Sequence, residues 1–222
     1  VSHVGPAGLL YLVLVGLWVP YLALKSAYRL RGGAPLPISR TRFFISTTFM
    51  LLFLFAIALA TAMREWIDLT SMPRDPLRAW SYAALLLVVL VVTLRMRWKT
   101  RPREGKERLF AILPHDGREY ALYAVVCLTA GIGEEAVYRG VLAVILQRLV
   151  GSWLIAILIA SFIFAISHAI QGTRAVIAIF IISIGSHALV AIAQSLLPMI
   201  VVHATYDAIA GFLIPRWYRR EQ

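Results

Sequence analysis

The chain alternates long apolar runs with short polar segments, and most of those segments are basic. The runs cover residues 9–24, 43–63, 80–94, 120–149, 153–170, 175–193 and 197–214. A helix needs roughly 17–25 apolar residues to cross a bilayer, so the pattern predicts an all-α, polytopic transmembrane bundle of about seven spans. Pro20 is expected to kink the first span. As one straight helix the fourth run would be about 45 Å long, against a ~30 Å hydrocarbon core, so a bend is expected at Gly131 and Gly133. The sixth is expected to be interrupted at Gly185-Ser186-His187. No repeat and no soluble domain is visible. The expected division is a three-span region, 1–118, a four-span core, 119–215, and a basic tail, 216–222. The first run has no basic residue before it and no small-residue cleavage pattern after it, so it is expected to span and not to act as a secretion signal.

Composition agrees with that pattern. Hydrophobic residues make up 60% of the 222 residues and charged residues 15%, with a mean hydropathy of +0.79. Soluble domains are about 25% charged. The net charge of +11 and pI near 10.4 would suggest nucleic acid in a soluble protein. Here loop arginines and lysines account for it, and no nucleic-acid partner is expected. Lys25, Arg29, Arg31, Arg40 and Arg42 follow the first span. The segment between spans three and four carries Arg95 to Arg118, and the tail carries Arg216, Arg219 and Arg220. The positive-inside rule then places the N-terminus outside and the C-terminus inside, with Arg148 as an outlier on the outer side. A multi-pass plasma (inner) membrane protein of prokaryotic origin is expected, with the bilayer itself as a partner. Trp18, Trp66, Trp98 and Trp217 read as interface anchors. The single cysteine, Cys127, excludes an intramolecular disulfide and a cysteine zinc site.

The candidate chemistry lies in residues that break the apolar pattern. Glu134 and Glu135 fall midway along the fourth run, His168 late in the fifth, and His203 and Asp207 in the seventh. Each charge at bilayer depth costs at least ~2.5–3.5 kcal/mol, so such residues usually face the bundle interior and mark function. Glu135 and Arg139 are four apart and can pair on one helix face. His203 and Asp207 have the same spacing and are expected to hydrogen-bond. Glu134 points about 100° away from Glu135, free to meet the histidines as a general base would. Phe164, one turn before His168, can shield it from lipid. His187 reads as a helix-packing polar residue, and His115 as a loop residue without a role.

The ordered set Glu134-Glu135-x-x-x-Arg139, Phe164-x-x-x-His168 and His203-x-x-x-Asp207 resembles the motifs of the CPBP family, the CAAX-protease and bacteriocin-processing intramembrane endopeptidases. The likeness spans residues 134–207, with a similar apolar scaffold back to about residue 119. It implies a helical intramembrane peptidase acting on a membrane-associated or lipidated, CAAX-like protein or peptide. It also implies roles. Glu134 would activate water with His168, and Glu135 would support the site and pair with Arg139. His203 and the residue four later would stabilise the oxyanion. The last family motif commonly ends in Asn, with Asp an accepted variant, and here Asp207 stands at that position. An ionised Asp cannot donate a hydrogen bond. Asp207 either donates as the acid, holds His203 as imidazolium, or binds a metal. No cofactor is favoured. Zinc or another divalent metal, on Glu134, His168 and His203, is the alternative.

One tension follows from length. If their spans began level, His168 and His203 would differ in depth by roughly 13 Å. A single site therefore requires the last helix to start deep, with residues 195–198 dipping into the protein, and imidazoles no more than about 8 Å apart, within reach of one shared water. The rival readings are a proton-coupled transporter using the buried Glu and His and an inactive scaffold or immunity relative.

Overall fold

A computed structural model describes residues 3–29 and 39–222, and Arg31 of the first basic loop lies outside them. Eight helices form, named here in chain order: α1 Pro6–Arg29, α2 Arg40–Arg64, α3 Pro76–Thr100, α4 Arg103–Ala111, α5 Gly117–Val150, α6 Trp153–Ser167, α7 Thr173–Ala193 and α8 Leu197–Arg220. Among the described residues there is no strand. Six of the helices are long and apolar enough to cross a membrane, and α6 is a shorter apolar helix. Ser39, Asp75, Asp116 and Ser152 start α2, α3, α5 and α6, each accepting a backbone N–H from the third residue on. Gly151, in the left-handed region at φ 71°, ends α5.

Several expected details differ. The fourth run does not break at its glycines. Instead α5 runs on to Val150 and widens into a π-helical stretch at Glu135–Leu142. Gly131 and Gly133 serve close approach. A Cβ on Gly131 would lie 2.9 Å from Ala204 Cβ and from the Ile200 carbonyl of α8. On Gly133 it would lie 3.3 Å from the Leu51 carbonyl of α2. Helix α7 passes through Gly185-Ser186-His187 without interruption, because a single glycine inside an apolar helix costs only about 1 kcal/mol. Helix α6 stops at Ser167, three residues before the apolar run ends, and Ala169–Gln171 form a 3₁₀ turn. In α1 the disturbance falls ahead of Pro20, as a π-helical turn over Leu12–Trp18 that makes room for the ring. The polar helix α4 inside the basic loop has no apolar run to announce it.

Polar contacts sort the helix ends into two groups. At one end the Glu65 carboxylate accepts from Gly5 N (3.1 Å) and Gly8 N (2.8 Å), capping α1. Arg148 Nη1 donates to the Glu65 carbonyl (3.0 Å) and lies 3.4 Å from its carboxylate. The outlier cation Arg148 therefore has an acid from the loop at the same end. At the other end Arg40 pairs with Glu119 at 3.0 Å. There Glu221 accepts from Trp98 Nε1 and Lys106 Nζ, both at 2.8 Å. Trp98 is consequently buried against α8 and is not a lipid-facing anchor, while Trp18 and Trp66 are exposed as expected. Burying these apolar faces inside, with Leu17, Phe53, Leu154 and Ile181 exposed outside, is the pattern of a bundle in lipid.

The core divides accordingly. One cluster joins Tyr11 and Val15 of α1, Ala58 and Ala62 of α2, Val141, Leu142 and Ile145 of α5, and Ala160 and Phe164 of α6. A second joins Leu90 of α3 to Leu189, Met199 and Val202. A third, of Leu94, Trp98, Leu113 and Ile214, lies at the basic end. The candidate site sits where the first two clusters meet.

Candidate active site

The π-helical stretch opens directly after Glu134, and such stretches recur at functional sites because they redirect side chains within one helix. Here they send the paired carboxylates to different partners. Glu135 is fully buried and turns inward. Its Oε1 accepts from Arg139 Nη1 at 3.1 Å and from His203 Nδ1 at 2.7 Å. The expected Glu135–Arg139 pair is thus present. Arg139 is held further by donation from Nη2 to Ser183 Oγ of α7 at 3.0 Å, and by the Phe164 ring, 4.2 Å from its guanidinium carbon. A buried ion pair needs such additional partners to offset desolvation.

Glu134 turns into a cavity. Its Oε2 is buried and has no hydrogen-bond partner among the described residues. It lies 3.8 Å from His168 Nε2 and 3.7 Å from His203 Nε2. The two Nε2 atoms can be no farther apart than those distances together, which is inside the ~8 Å limit for a shared water. The depth tension is resolved in two ways. Helix α6 ends at Ser167, leaving His168 on its terminal turn, and Ser195, Leu196 and Pro198 at the start of α8 are buried.

Both imidazoles are oriented from behind. His168 Nδ1 bonds the Phe164 carbonyl at 2.8 Å. A carbonyl only accepts, so Nδ1 carries the proton and Nε2 of the neutral ring is an acceptor facing Glu134. His203 Nδ1 bonds the Glu135 carboxylate, which fixes its proton likewise. Phe164 packs on His168 with ring centroids 4.6 Å apart, the expected shield.

The expected His203–Asp207 hydrogen bond is absent. Asp207 Oδ2 is 3.6 Å from His203 Nε2, too long for a hydrogen bond, because Nδ1 is drawn toward Glu135 and turns the ring. Asp207 remains close as a charge, and it lines the same cavity. Sequence reasoning misses Ser183, whose only signal is a hydroxyl in an apolar helix. It also misses Tyr138 as a partner of Ser167 (3.2 Å), although Tyr138 sits inside the first motif. His187 is buried in α7 with Nε2 unpartnered and does not line the cavity. His115 stacks on Phe110 and bonds its carbonyl, away from the site.

The cavity has a volume of about 260 Å³ and is mixed in character. Glu134, His168, His203 and Asp207 line one part. From there it extends along α3 and α8 to Arg97, Trp98, Arg101 and Ile214 at the basic end. Among the described residues no group of three or more His, Cys, Asp or Glu is arranged to hold a metal ion.

The described residues form a multi-helix bundle, and a carboxylate faces two oriented imidazoles in its internal cavity. Residues 117–209 match the family model of the Rce1-like proteins, the type II CAAX prenyl endopeptidases. That likeness points to an intramembrane peptidase with a protein substrate. No curated protein and no solved structure matches the chain.

Proposed function

We propose that the protein hydrolyses a peptide bond of a membrane-associated or lipidated, CAAX-like protein or peptide, with Glu134 as general base. The observation that carries this reading is the partnerless Glu134 Oε2, set 3.7 and 3.8 Å from two imidazole Nε2 atoms. Those gaps exceed a hydrogen bond and suit one bridging oxygen. A water placed there gives a proton to Glu134, while His168 Nε2 accepts its second hydrogen bond. The water oxygen attacks the carbonyl carbon. His203, protonated at both ring nitrogens, donates from Nε2 to the oxyanion. Asp207 serves as its counter-charge, and Glu135 with Arg139 holds the ring. Glu134 then passes its proton to the leaving nitrogen as the C–N bond breaks, which yields a new carboxylate and a new amine.

In this reading no resident metal is needed, residues 119–215 form the catalytic core and residues 1–118 form the supporting spans. The protein lies in a prokaryotic plasma membrane with its N-terminus outside, and the cavity opens toward the cytoplasm. The test compares membrane-protein fragments by proteomics in cells carrying wild type or Glu134→Ala. Specific cleavage products are expected in the wild type alone. Unchanged fragments together with altered proton or solute flux would contradict the peptidase and favour a transporter. The purified wild type is expected to keep its activity in a strong chelator. Loss that zinc restores would contradict the metal-free step.

A further inference from the structure

Tyr11 of α1 is fully buried, and its hydroxyl donates to the Val137 carbonyl of α5 at 2.9 Å. The two residues are 126 positions apart in the chain. Val137 lies two residues after Glu135, inside the π-helical stretch Glu135–Leu142. A buried tyrosine hydroxyl needs an acceptor, and a carbonyl in any regular helical turn would serve. This acceptor is instead the backbone that sends Glu134 and Glu135 to different partners. A carbonyl has two lone pairs, so the hydroxyl can hold Val137 in addition to a helical N–H.

The register of that stretch matters to the site. Bonds from residue i to i+5 are rare in helices and are confined to short stretches. Closing the stretch to α geometry would turn the residues before it by about 100° against those after it. Those toward its end are locked, since Val141, Leu142 and Ile145 are wholly buried in the first core cluster with Tyr11 and Val15. Those before it carry Glu134 and approach α8 through Gly131. The register therefore sets how Glu134 is aimed relative to the packed half of α5. Helix α1 is shaped to meet it. Its own π-helical turn, Leu12–Trp18, begins at the residue after Tyr11, and Val15 within that turn shares a core cluster with Val141. The next residue of α5, Tyr138, stacks edge-on against Phe164 at 4.9 Å and donates to Ser167 Oγ at 3.2 Å. A shift at Val137 thus reaches the end of α6, where His168 stands.

We propose that Tyr11 is a positioning residue for the active site: its hydroxyl holds the π-helical register of α5, and through it the aim of Glu134 at the two imidazoles. This rests on the peptidase reading and gives α1, which lies outside the matched segment 117–209, a part in setting the site.

The experiment uses the full-length protein in detergent micelles, labelled with carbonyl-13C valine, 15N tyrosine and 15N histidine. Val137-Tyr138 is the only Val-Tyr pair in the sequence, so one carbonyl–amide NMR signal reports the Val137 carbonyl. Tyr11→Phe keeps the ring and removes the donor, and that signal is expected to move upfield. The ring nitrogens of His168 and His203 should shift with it. The Glu134-dependent fragments should form roughly fivefold more slowly, against an unfolding midpoint only about 2–4 °C lower. Tyr21→Phe, at an exposed position of the same helix, should leave all of these unchanged. Fluorination strengthens a phenol as a donor, so 3-fluorotyrosine at position 11 should move the carbonyl signal downfield, and it serves if Tyr11→Phe does not fold. An unmoved carbonyl signal overturns the proposal. So does a moved carbonyl with histidine signals and fragment rate as in wild type, since Tyr11 then only ties α1 to α5. Shifts in carbonyl and imidazoles, where the wild type yields no Glu134-dependent fragments, keep the positioning and sink the peptidase reading. Fragments made at the wild-type rate by Tyr11→Phe do the opposite.

Discussion

Arg139 is the side chain on which the geometry of the site depends. It neutralises Glu135, whose Oε1 in turn orients His203, and it is itself held by Ser183 and Phe164. Removing it leaves a buried carboxylate uncompensated. Arg139→Ala is expected to lower stability by about 3–5 kcal/mol, seen as a fall in the thermal unfolding midpoint, with activity lost alongside. An unfolding midpoint unchanged from wild type would show that Glu135 finds another partner. The Glu135–Arg139 pair was legible in the sequence because a four-residue spacing on one helix fixes a contact. The His203–Glu135 bond was not, because it joins helices 68 residues apart in the chain. The expected His203–Asp207 bond followed the same spacing rule and was displaced by that stronger cross-helix partner. Local spacing yields candidate pairs, and the ring orientation that serves Glu135 at Nδ1 leaves Nε2 beyond hydrogen-bond distance of Asp207.

At the scale of helices, close approach is set by glycine. Adding a Cβ to Gly131 meets Ala204 and a backbone carbonyl of α8 at 2.9 Å, whereas a Cβ on Gly185 meets nothing within 4 Å. Gly131→Val is expected to cost about 1–3 kcal/mol and to reduce cleavage by moving His203 away from Glu134, while Gly185→Ala is expected to stabilise by up to about 1 kcal/mol. Thermal unfolding of both variants checks this, and equal midpoints would contradict it. The end of α8 carries a pH-sensitive clasp. Hydrogen bonds from Lys106 and Trp98, with burial opposing them only weakly, hold the Glu221 carboxyl below the ordinary glutamate range. A lowered folded value means that the clasp contributes fully above the ordinary glutamate pKa. It is lost as the pH falls through the lowered value. The Trp98 indole N–H resonance should shift on acidification in wild type and stay constant with pH in Glu221→Gln. Hydropathy predicted α1, α2, α3, α5, α7 and α8 as spans, but their ends extended into polar sequence. Helix α3 runs to Thr100 and α8 to Arg220, since arginine and lysine are good helix formers and hydropathy does not register backbone continuation. The π-helical stretch at Glu135–Leu142 has no sequence signature of this kind; what the sequence offers there is two glycines, which suggest a bend.

Across the whole molecule, contacts between helix ends and the distribution of loop charge point to one alternating arrangement. Glu65, Arg148 and the start of α1 meet at one end, and Arg40, Glu119, Lys106 and Glu221 at the other. In a Cys127→Ser background, Gln222→Cys is expected to react with an impermeant maleimide only from the cytoplasmic side and Asp68→Cys only from outside. The reverse labelling would invert the orientation. The basic end, visible first as a net charge, also carries Arg97 and Arg101 in the cavity wall. The family match covers residues 117–209, the segment that holds all three motifs, while α3, outside it, supplies part of the cavity. The account stands on water attack promoted by Glu134. Its most direct test is hydrolysis of a membrane-protein substrate by the purified protein in water enriched in oxygen-18, read by mass spectrometry. One oxygen-18 should enter the new carboxylate with wild type, and none of that product should form with Glu134→Gln. Product formed at an undiminished rate by the variant would contradict the account.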